Sequence, residues 1–408
     1  MRFPIQINSA AAAKSLRFAA KCGVVLGLAV GHPGVIGITA PSFADAESLL
    51  LKALREIRSA QLDTALTTIS ELLTRHPNFR LAHLIHGDLL LAKVKPLQSF
   101  GNTNSAPSDA LQGLRAEASA RAQRINDAVG ADKVPASFLR LPADVRYAMA
   151  VDVNRSRIYV FEHSAGKTTR IADFYATIGK EGSGKAKQGD QRTPIGAYFL
   201  QAAVSRDKLT DFYGAGAYPL DYPNAWDRRH NRNGYGIWLH GVGSDTFARA
   251  PRASDGCIVV SNPDLKVLER FITADRTPIV VAQSIDWVDR DTSTKRATPL
   301  LTALERWRGD WQAVDMPKYF SHYSNSFASE STDYNGWLQA RKILVQNTQW
   351  AKVELSNVSA VQYPGERDLA LVTFDQSYKS NKFSSQLRKR QLWQQIDGRW
   401  QIIFESNA

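Results

Sequence analysis

The spacing of apolar residues changes period twice along this 408-residue chain, and those changes confine it to three differently built regions. Between 46 and 94, Leu49, Leu50, Ala53, Leu54 and Ile57, then Ala65, Ile69, Leu72 and Leu73, recur at intervals of three and four, the period of amphipathic helices. At Val145 the period falls to two. The alternating runs 148–153 and 157–161 flank Asn154-Arg155-Ser156, a pattern that predicts a β-hairpin. Further strands are expected at 171–178, 196–203, 236–240 and 278–282, interrupted by one helix at 262–273 that Asn262-Pro263-Asp264 would open as cap and first turn. In the third region helices come first, at 300–315 and 316–320. After 337–346 the strands 352–361, 369–378, 388–395 and 400–405 follow, with Asp397-Gly398 as a hairpin turn between the last two. The polar stretch 97–110 reads as a linker, 289–298 leads into the third region, and a charged helix is expected at 110–129.

Residues 1–44 hold four bases, Arg2, Lys14, Arg17 and Lys21, and no acid; the apolar run 22–40 and a small-residue site at Ala44 complete the pattern of a secretory signal. His32, Pro33 and the glycines of that run argue against a spanning helix. Export to the periplasm is therefore expected. Removing the segment takes the net charge from +12 to +8 and the cysteines from two to one, Cys257. A solitary thiol in an exported chain has no internal disulfide partner, so it is a buried small hydrophobe, an intermolecular link or a reactive group. Two cysteines also exclude a disulfide scaffold and a multi-cysteine metal site. The basic excess fits an acidic partner, but export and the lack of a recognised binding motif weigh against nucleic acid.

The expected architecture is multidomain: a helical region at 45–130, a mostly-β domain at 141–288 and an α+β cone at 298–408. The helical region resembles a tetratricopeptide-type unit, with Ala65, Pro77, Ala82 and Gly87 near the places where such repeats put small residues and the turn proline. A helical cap on the next domain is an equal alternative. The third region resembles the SnoaL-like and nuclear-transport-factor-like cone, whose interior Trp307, Trp311, Tyr319, Tyr323, Trp337, Trp393 and Trp400 would line. No paired acid and base is apparent there.

The chemistry concentrates in 234–265. His240-Gly241 ends an apolar strand, and Ser254-Asp255-Gly256-Cys257-Ile258 precedes a second strand-like run. At its reference pKa of about 8.5 a thiol is mostly protonated at neutral pH, so a nucleophilic Cys257 needs a base. His240 can take its proton and later protonate a leaving amine. Gly256 allows close backbone approach, and amides near Cys257 can hold an oxyanion. The glycine-rich 179–189 stretch, with Lys180, Lys185 and Lys187, lacks the Gly-Lys-Ser/Thr ending of a phosphate loop and is expected to be a mobile loop near the site.

His240-Gly241, twelve residues, then Ser254 to Ile258 resembles the signature of the YkuD-type L,D-transpeptidases of bacterial peptidoglycan, of the ErfK/YafK-like branch. Gly189-Asp190-Gln191-Arg192-Thr193-Pro194-Ile195-Gly196 resembles the family's threonine-proline-x-glycine strand opener. The resemblance covers roughly 145–285. It implies that Cys257 is the nucleophile, His240 its base and the Gly241 carbonyl the orienter of the imidazole, with no metal or other cofactor. Ser254 and Gly256 would shape the substrate-facing cysteine loop, and Arg249 and Arg252 would supply a cation for a substrate carboxylate. Two positions depart from the pattern. Asp255 stands where a second histidine is common, and Val259 where an arginine is common. The implied substrates are peptidoglycan stem peptides, attacked at the third residue with loss of D-alanine. Transfer to diaminopimelate gives a 3-3 cross-link and transfer to an outer-membrane lipoprotein a tether, while water gives hydrolysis. The other class of reading is a non-catalytic envelope scaffold that recruits cell-wall enzymes.

Overall fold

A computed structural model describes residues 45–101, 107–126, 129–130 and 132–407. The expected signal segment and Cys22 lie outside them. Helices α1 (Asp45–Arg58), α2 (Leu62–Arg75) and α3 (Arg80–Ala92) pack about Leu50, Ala53, Ala65, Ile69 and Leu72, positions that the helical spacing marks, together with Ile85 of α3. Helix α4 (Ser108–Asn126) joins them. It is fastened to the next domain by buried charges. Arg121 contacts Glu47 of α1 and, at 2.9 Å, Glu117, while Arg157 contacts Glu47 at 3.1 Å and also Asp173. Arg124 grips Asp173 with two bonds of 2.7 and 3.1 Å. Burial alone would push the Glu47 carboxyl up, but the Arg121 and Arg157 guanidiniums hold it below its usual range. Removing one member of such a cluster leaves an uncompensated buried charge, so the helical region is welded to the β-domain rather than strung beside it. Among the described residues no helix is long and apolar enough to cross a membrane.

After the short strands β1 (Lys133–Pro135) and β2 (Phe138–Arg140), the expected hairpin forms as β3 (Tyr147–Asp152) and β4 (Arg157–Ser164). The run expected at 171–178 breaks into β5 (Lys167–Tyr175) and β6 (Ile178–Gly179). Then come β7 (Gly196–Phe199), β8 (Ala217–Pro219), α5 (Ala225–Arg229), β9 (Trp238–His240), β10 (Arg252–Ser254), β11 (Ile258–Val259), α6 (Asn262–Leu268), β12 (Pro278–Ala282) and β13 (Trp287–Asp289). A five-stranded sheet runs β5-β4-β3-β12-β7, and a three-stranded sheet runs β11-β9-β8. Met149, Val151, Ile158, Val160 and Val281 of the first meet Leu239 and Ile258 of the second in one core.

The third region holds α7 (Arg290–Gln312), α8 (Met316–Ser321), β14 (Tyr323–Ser329), α9 (Tyr334–Val345), β15 (Ala351–Gln362), β16 (Leu369–Ser380), β17 (Ser384–Ile396) and β18 (Arg399–Asn407). Asp397 and Gly398 both take positive φ, 49° and 75°, as a two-residue hairpin demands. The sheet order β14-β18-β17-β16-β15-β2 shows that its last strand comes from before the five-stranded β-domain. Of the polar stretch 289–298, expected only to lead into the third region, residues 290–298 instead form the start of α7. Its Ser293 and Ala297 turn inward, and the Ser293 hydroxyl bonds the Phe138 carbonyl of β2. The outer face of the five-stranded sheet (Ala148, Tyr159, Phe161, Val280) packs on Val361, Leu371, Leu392 and Phe404 of the cone. Inside the cone, the aromatics from Trp307 to Trp393 are buried as expected, with Trp400 half-buried. A polar group is also enclosed: Glu405 accepts from Gln391 at 2.8 Å, Tyr323 at 3.2 Å and Lys389 at 3.2 Å.

Candidate active site

Strands β9 and β11 run parallel and adjacent, with Leu239 opposite Ile258 and His240 opposite Val259. Leu239 and Ile258 anchor both strands in the core, which leaves His240 and the entry to β11, Cys257, at the sheet's other face. The His240 ring places Nδ1 at 2.6 Å from the Gly241 carbonyl. A carbonyl only accepts, so Nδ1 carries the proton and Nε2 presents a lone pair. Nε2 is buried and has no hydrogen-bond partner. Burial pushes the His240 pKa down to about 4, against a smaller opposite pull from the Gly241 bond. The imidazole is therefore neutral at physiological pH. Burial also raises the Cys257 thiol, although the Trp238 backbone amide favours its thiolate, and the resting thiol donates to the Gly236 carbonyl at 3.3 Å. This is an uncharged thiol and an unsatisfied base, a pair that transfers a proton when substrate arrives rather than a standing ion pair. Phe212 and Tyr213 wall the imidazole, with ring centroids 5.7 and 5.1 Å away.

The cysteine loop is held by its own residues and by the upstream motif. Ser254 Oγ donates to the Cys257 carbonyl at 2.6 Å and accepts from the Gly256 amide at 3.2 Å. This hydroxyl is thus committed to backbone and is buried, so Ser254 holds the shape of the loop. Gly256 has φ +119°, and a Cβ there would come within 2.6 Å of the Arg192 carbonyl, so only glycine fits and nothing projects to a substrate. Thr193 of the strand opener donates to the Gly256 carbonyl at 3.0 Å and accepts from the Gly179 amide at 2.9 Å. The residue the sequence reading missed is Asn262. It is not the helix cap, which is Ser261; its Oδ1 accepts from Ala215 and Val242 amides at 2.7 and 3.2 Å and its Nδ2 donates to the Val242 carbonyl at 2.8 Å. It thereby clamps the turn that follows His240-Gly241. A Cβ on Gly241 would lie 2.2 Å from that Oδ1.

The sequence model of the L,D-transpeptidase catalytic domain (YkuD) matches residues 146–281, and that of the Cds6 C-terminal NTF2-like domain matches 299–406. Among solved structures, Bd1075 of Bdellovibrio bacteriovorus is 32% identical over 68% of this chain and 98% of its own, with a TM-score of 0.60. The chain belongs to the YkuD family. Two structures of Pgp2 from Campylobacter jejuni, described as a helical cell shape determining protein, share its fold at 18% and 20% identity. Their TM-scores are 0.56 and 0.55; they cover 74% and 64% of this chain and 100% and 91% of theirs. No curated protein sequence matches.

The departures of this YkuD domain from its family's pattern have a structural setting. Val259 is buried in β11, and Asp255 is exposed at the rim, where Lys180 and Gln191 hold its carboxylate at 3.0 and 3.1 Å. Arg249 is half-buried, with Nη2 donating to the Phe212 carbonyl at 3.1 Å and its guanidinium 4.3 Å from the Phe212 ring centre. Arg252 is exposed on β10 beside Gly182 of the lysine-rich loop. That loop is not the free flap expected. Lys185 is 4% exposed and pairs with Asp190 at 2.8 Å, and Asp190 also accepts from the Ala186 and Lys187 amides, which holds its pKa at about 2. Lysine in a glycine-rich run reads as solvated, and only the fold reveals its burial. The Lys185 charge also favours the Cys257 thiolate.

The buried neutral imidazole has a consequence for stability. Its pKa is near 6.5 in the unfolded chain and about 4 in the folded one, so between these values the unfolded state binds the extra proton. Stability contributed by this group is complete above about pH 6.5 and is lost toward pH 4, by about 3 kcal/mol in all. Urea unfolding at pH 7 and pH 4.5 should show the loss, and His240→Gln should remove this part of the slope. An identical slope in the variant would contradict it.

Proposed function

We propose that the protein is a peptidoglycan L,D-transpeptidase acting through a Cys257 acyl-enzyme. The observation that supports this most is the unpartnered Nε2 of His240, buried on the strand beside the cysteine. In this reading Nε2 removes the thiol proton as sulfur attacks the carbonyl of the stem peptide's third residue. The tetrahedral adduct collapses, the C–N bond to D-alanine breaks, and the imidazolium returns its proton to the departing amine. The thioester then passes to an amine of a second stem peptide, or of a lipoprotein, and Cys257 is released. The site would work in the periplasm, where a +8 mature chain suits a carboxylate-rich polymer.

A second reading has water as the acceptor, which trims or cleaves the stem. The burial of Val259 and the exposed carboxylate of Asp255 favour it, since neither position offers a cation for the carboxylate of an incoming stem peptide. By analogy with the fold relative Pgp2, either activity would serve cell shape.

The test is incubation of the purified chain and of Cys257→Ala with disaccharide tetrapeptide and with isolated sacculi, followed by mass spectrometry. Dimers indicate transfer, and free tripeptide stems or lost tethers indicate hydrolysis. If the products are the same with and without the thiol, the enzyme reading fails in favour of a scaffold.

A further inference from the structure

Residues 242–253 connect His240-Gly241 to the cysteine loop, and they are moored to the helical region. Phe247 is 5% exposed, stacks on Phe79 at 4.3 Å and donates its amide to the Asn78 carbonyl at 3.1 Å. Asn78 Nδ2 donates to the Ser244 carbonyl at 3.3 Å, and Arg80 pairs with Asp245 at 2.6 Å. Between this moored loop and α4 lies a cavity of about 610 Å³. Its partition from the reacting groups is Phe212 with Arg249 laid over it, and Phe212 is the ring beside His240.

The cavity is lined by four carboxylates, Asp109, Glu117, Asp211 and Asp245, and two guanidiniums, Arg80 and Arg249. Most of these are already engaged. Glu117 is paired with Arg121, Asp245 with Arg80, and Asp211 accepts from the Ser244 amide and hydroxyl. Among the described residues no ion pair neutralises Asp109, Asp211 or Arg249, and of these two carboxylates only Asp109 also lacks a hydrogen bond to hold it. The lining also includes the apolar Ala110, Leu114, Ala248 and Ala250. A carboxylate with no partner and a guanidinium with no counter-ion, beside aliphatic surface, suit a ligand that carries an ammonium and a carboxylate at the end of an aliphatic stem. A simple anion or a nucleotide would meet three carboxylates beyond the one bound to Arg121.

We propose that this cavity is a substrate subsite, built jointly by α4 and the 243–250 loop, for the free amino-acid head of a diamino acid such as the diaminopimelate side chain of a stem peptide. Arg249 takes its carboxylate and Asp109 its ammonium. The assignment rests on the peptidoglycan reading above, and it makes the helical region part of the substrate-recognition surface.

The test is calorimetric binding to the full chain carrying Cys257→Ala, so that it reads the subsite whether or not any turnover exists. Three probes are compared: disaccharide tetrapeptide with meso-diaminopimelate, the same with lysine, which lacks the distal carboxylate, and the first with its distal amine acetylated. The diaminopimelate form should bind about tenfold tighter than either, one charged hydrogen bond's worth in each comparison. Adding Arg249→Gln should erase the difference from lysine, and adding Asp109→Asn the difference from the acetylated probe. Ala110→Trp, on the exposed start of α4, should fill the cavity and weaken the diaminopimelate probe to the level of the others without lowering Tm. Equal affinity for all three probes, or preferences that survive Ala110→Trp, would overturn the subsite. In the thiol-containing chain the same variants locate the bound head. If they slow acylation by tetrapeptide, the head belongs to the donor; if they alter only the division of thioester between added tripeptide and water, it belongs to the acceptor. Failure to alter either step would also count against the proposal.

Discussion

His240→Ala is expected to lower kcat/KM by roughly 10²- to 10⁴-fold, the usual worth of a positioned general base. The size follows from the resting state. Burial holds the thiol above its ordinary range and the imidazole down at about 4, so at neutral pH neither group is charged and Cys257 has no thiolate of its own to spend. With a preformed thiolate the histidine would matter mainly as a leaving-group acid. The two cases separate in the pH dependence of iodoacetamide alkylation. A neutral pair predicts slow alkylation of Cys257 at pH 6–7, rising steadily toward alkaline pH in both wild type and variant. Turnover by contrast should hold to about pH 5 in the wild type, because the base protonates only near 4. Fast alkylation that is flat from pH 5 upward would show a standing ion pair and refute this account. The fold itself should survive the substitution, since the group removed is one whose Nε2 was already unsatisfied.

Phe247→Ala is expected to cost about 3–5 kcal/mol in urea unfolding, the range for truncating a fully packed phenylalanine. Its ring lies between Phe79 and His76, with centroids 4.3 and 4.9 Å away, at the junction of the helical core and the catalytic loop. The loss has two parts. The helical core loses a large apolar group, and residues 242–253 lose their deepest anchor, so amide exchange in that segment should rise beyond what the global destabilisation explains. Phe247→Leu keeps most of the volume and should recover most of the stability. If Phe247→Ala proved as stable as the wild type, the helices would not be holding the loop.

How much of this was readable beforehand depended on the range of the interactions. The β3–β4 hairpin, the strand ending in His240 and the 397–398 turn rest on local alternation and turn chemistry, so the residues announce them. Cys257, His240 and Gly241 stand where their spacing within one short segment suggests. Asn262 was misread because its three hydrogen bonds go to Ala215 and Val242, far away in sequence, while locally it looks like any helix opener. Lys185 was read into a mobile loop because nothing in its neighbourhood states that the loop folds over it. The polar start of α7 passed for a mere lead-in since its buried side is only Ser293 and Ala297, too small to show as a hydrophobic stripe.

Strand β2 carries a further consequence. Phe138 pairs with Val361 and Arg140 with Ala360, so the cone's outermost strand is made before the catalytic domain and the rest of its sheet after it. During synthesis at about 5–20 residues per second, that strand waits on the order of ten to forty seconds for its neighbour to exist. In the interval the catalytic domain has time to fold with Phe138 and its neighbours unsheltered. A fragment starting at 298 would leave β15 as a bare edge, inviting other chains to pair with it. The two halves of the molecule are therefore heritable only together: a gene fusion or duplication that moves the cone without residues 133–140 moves an unfinished sheet.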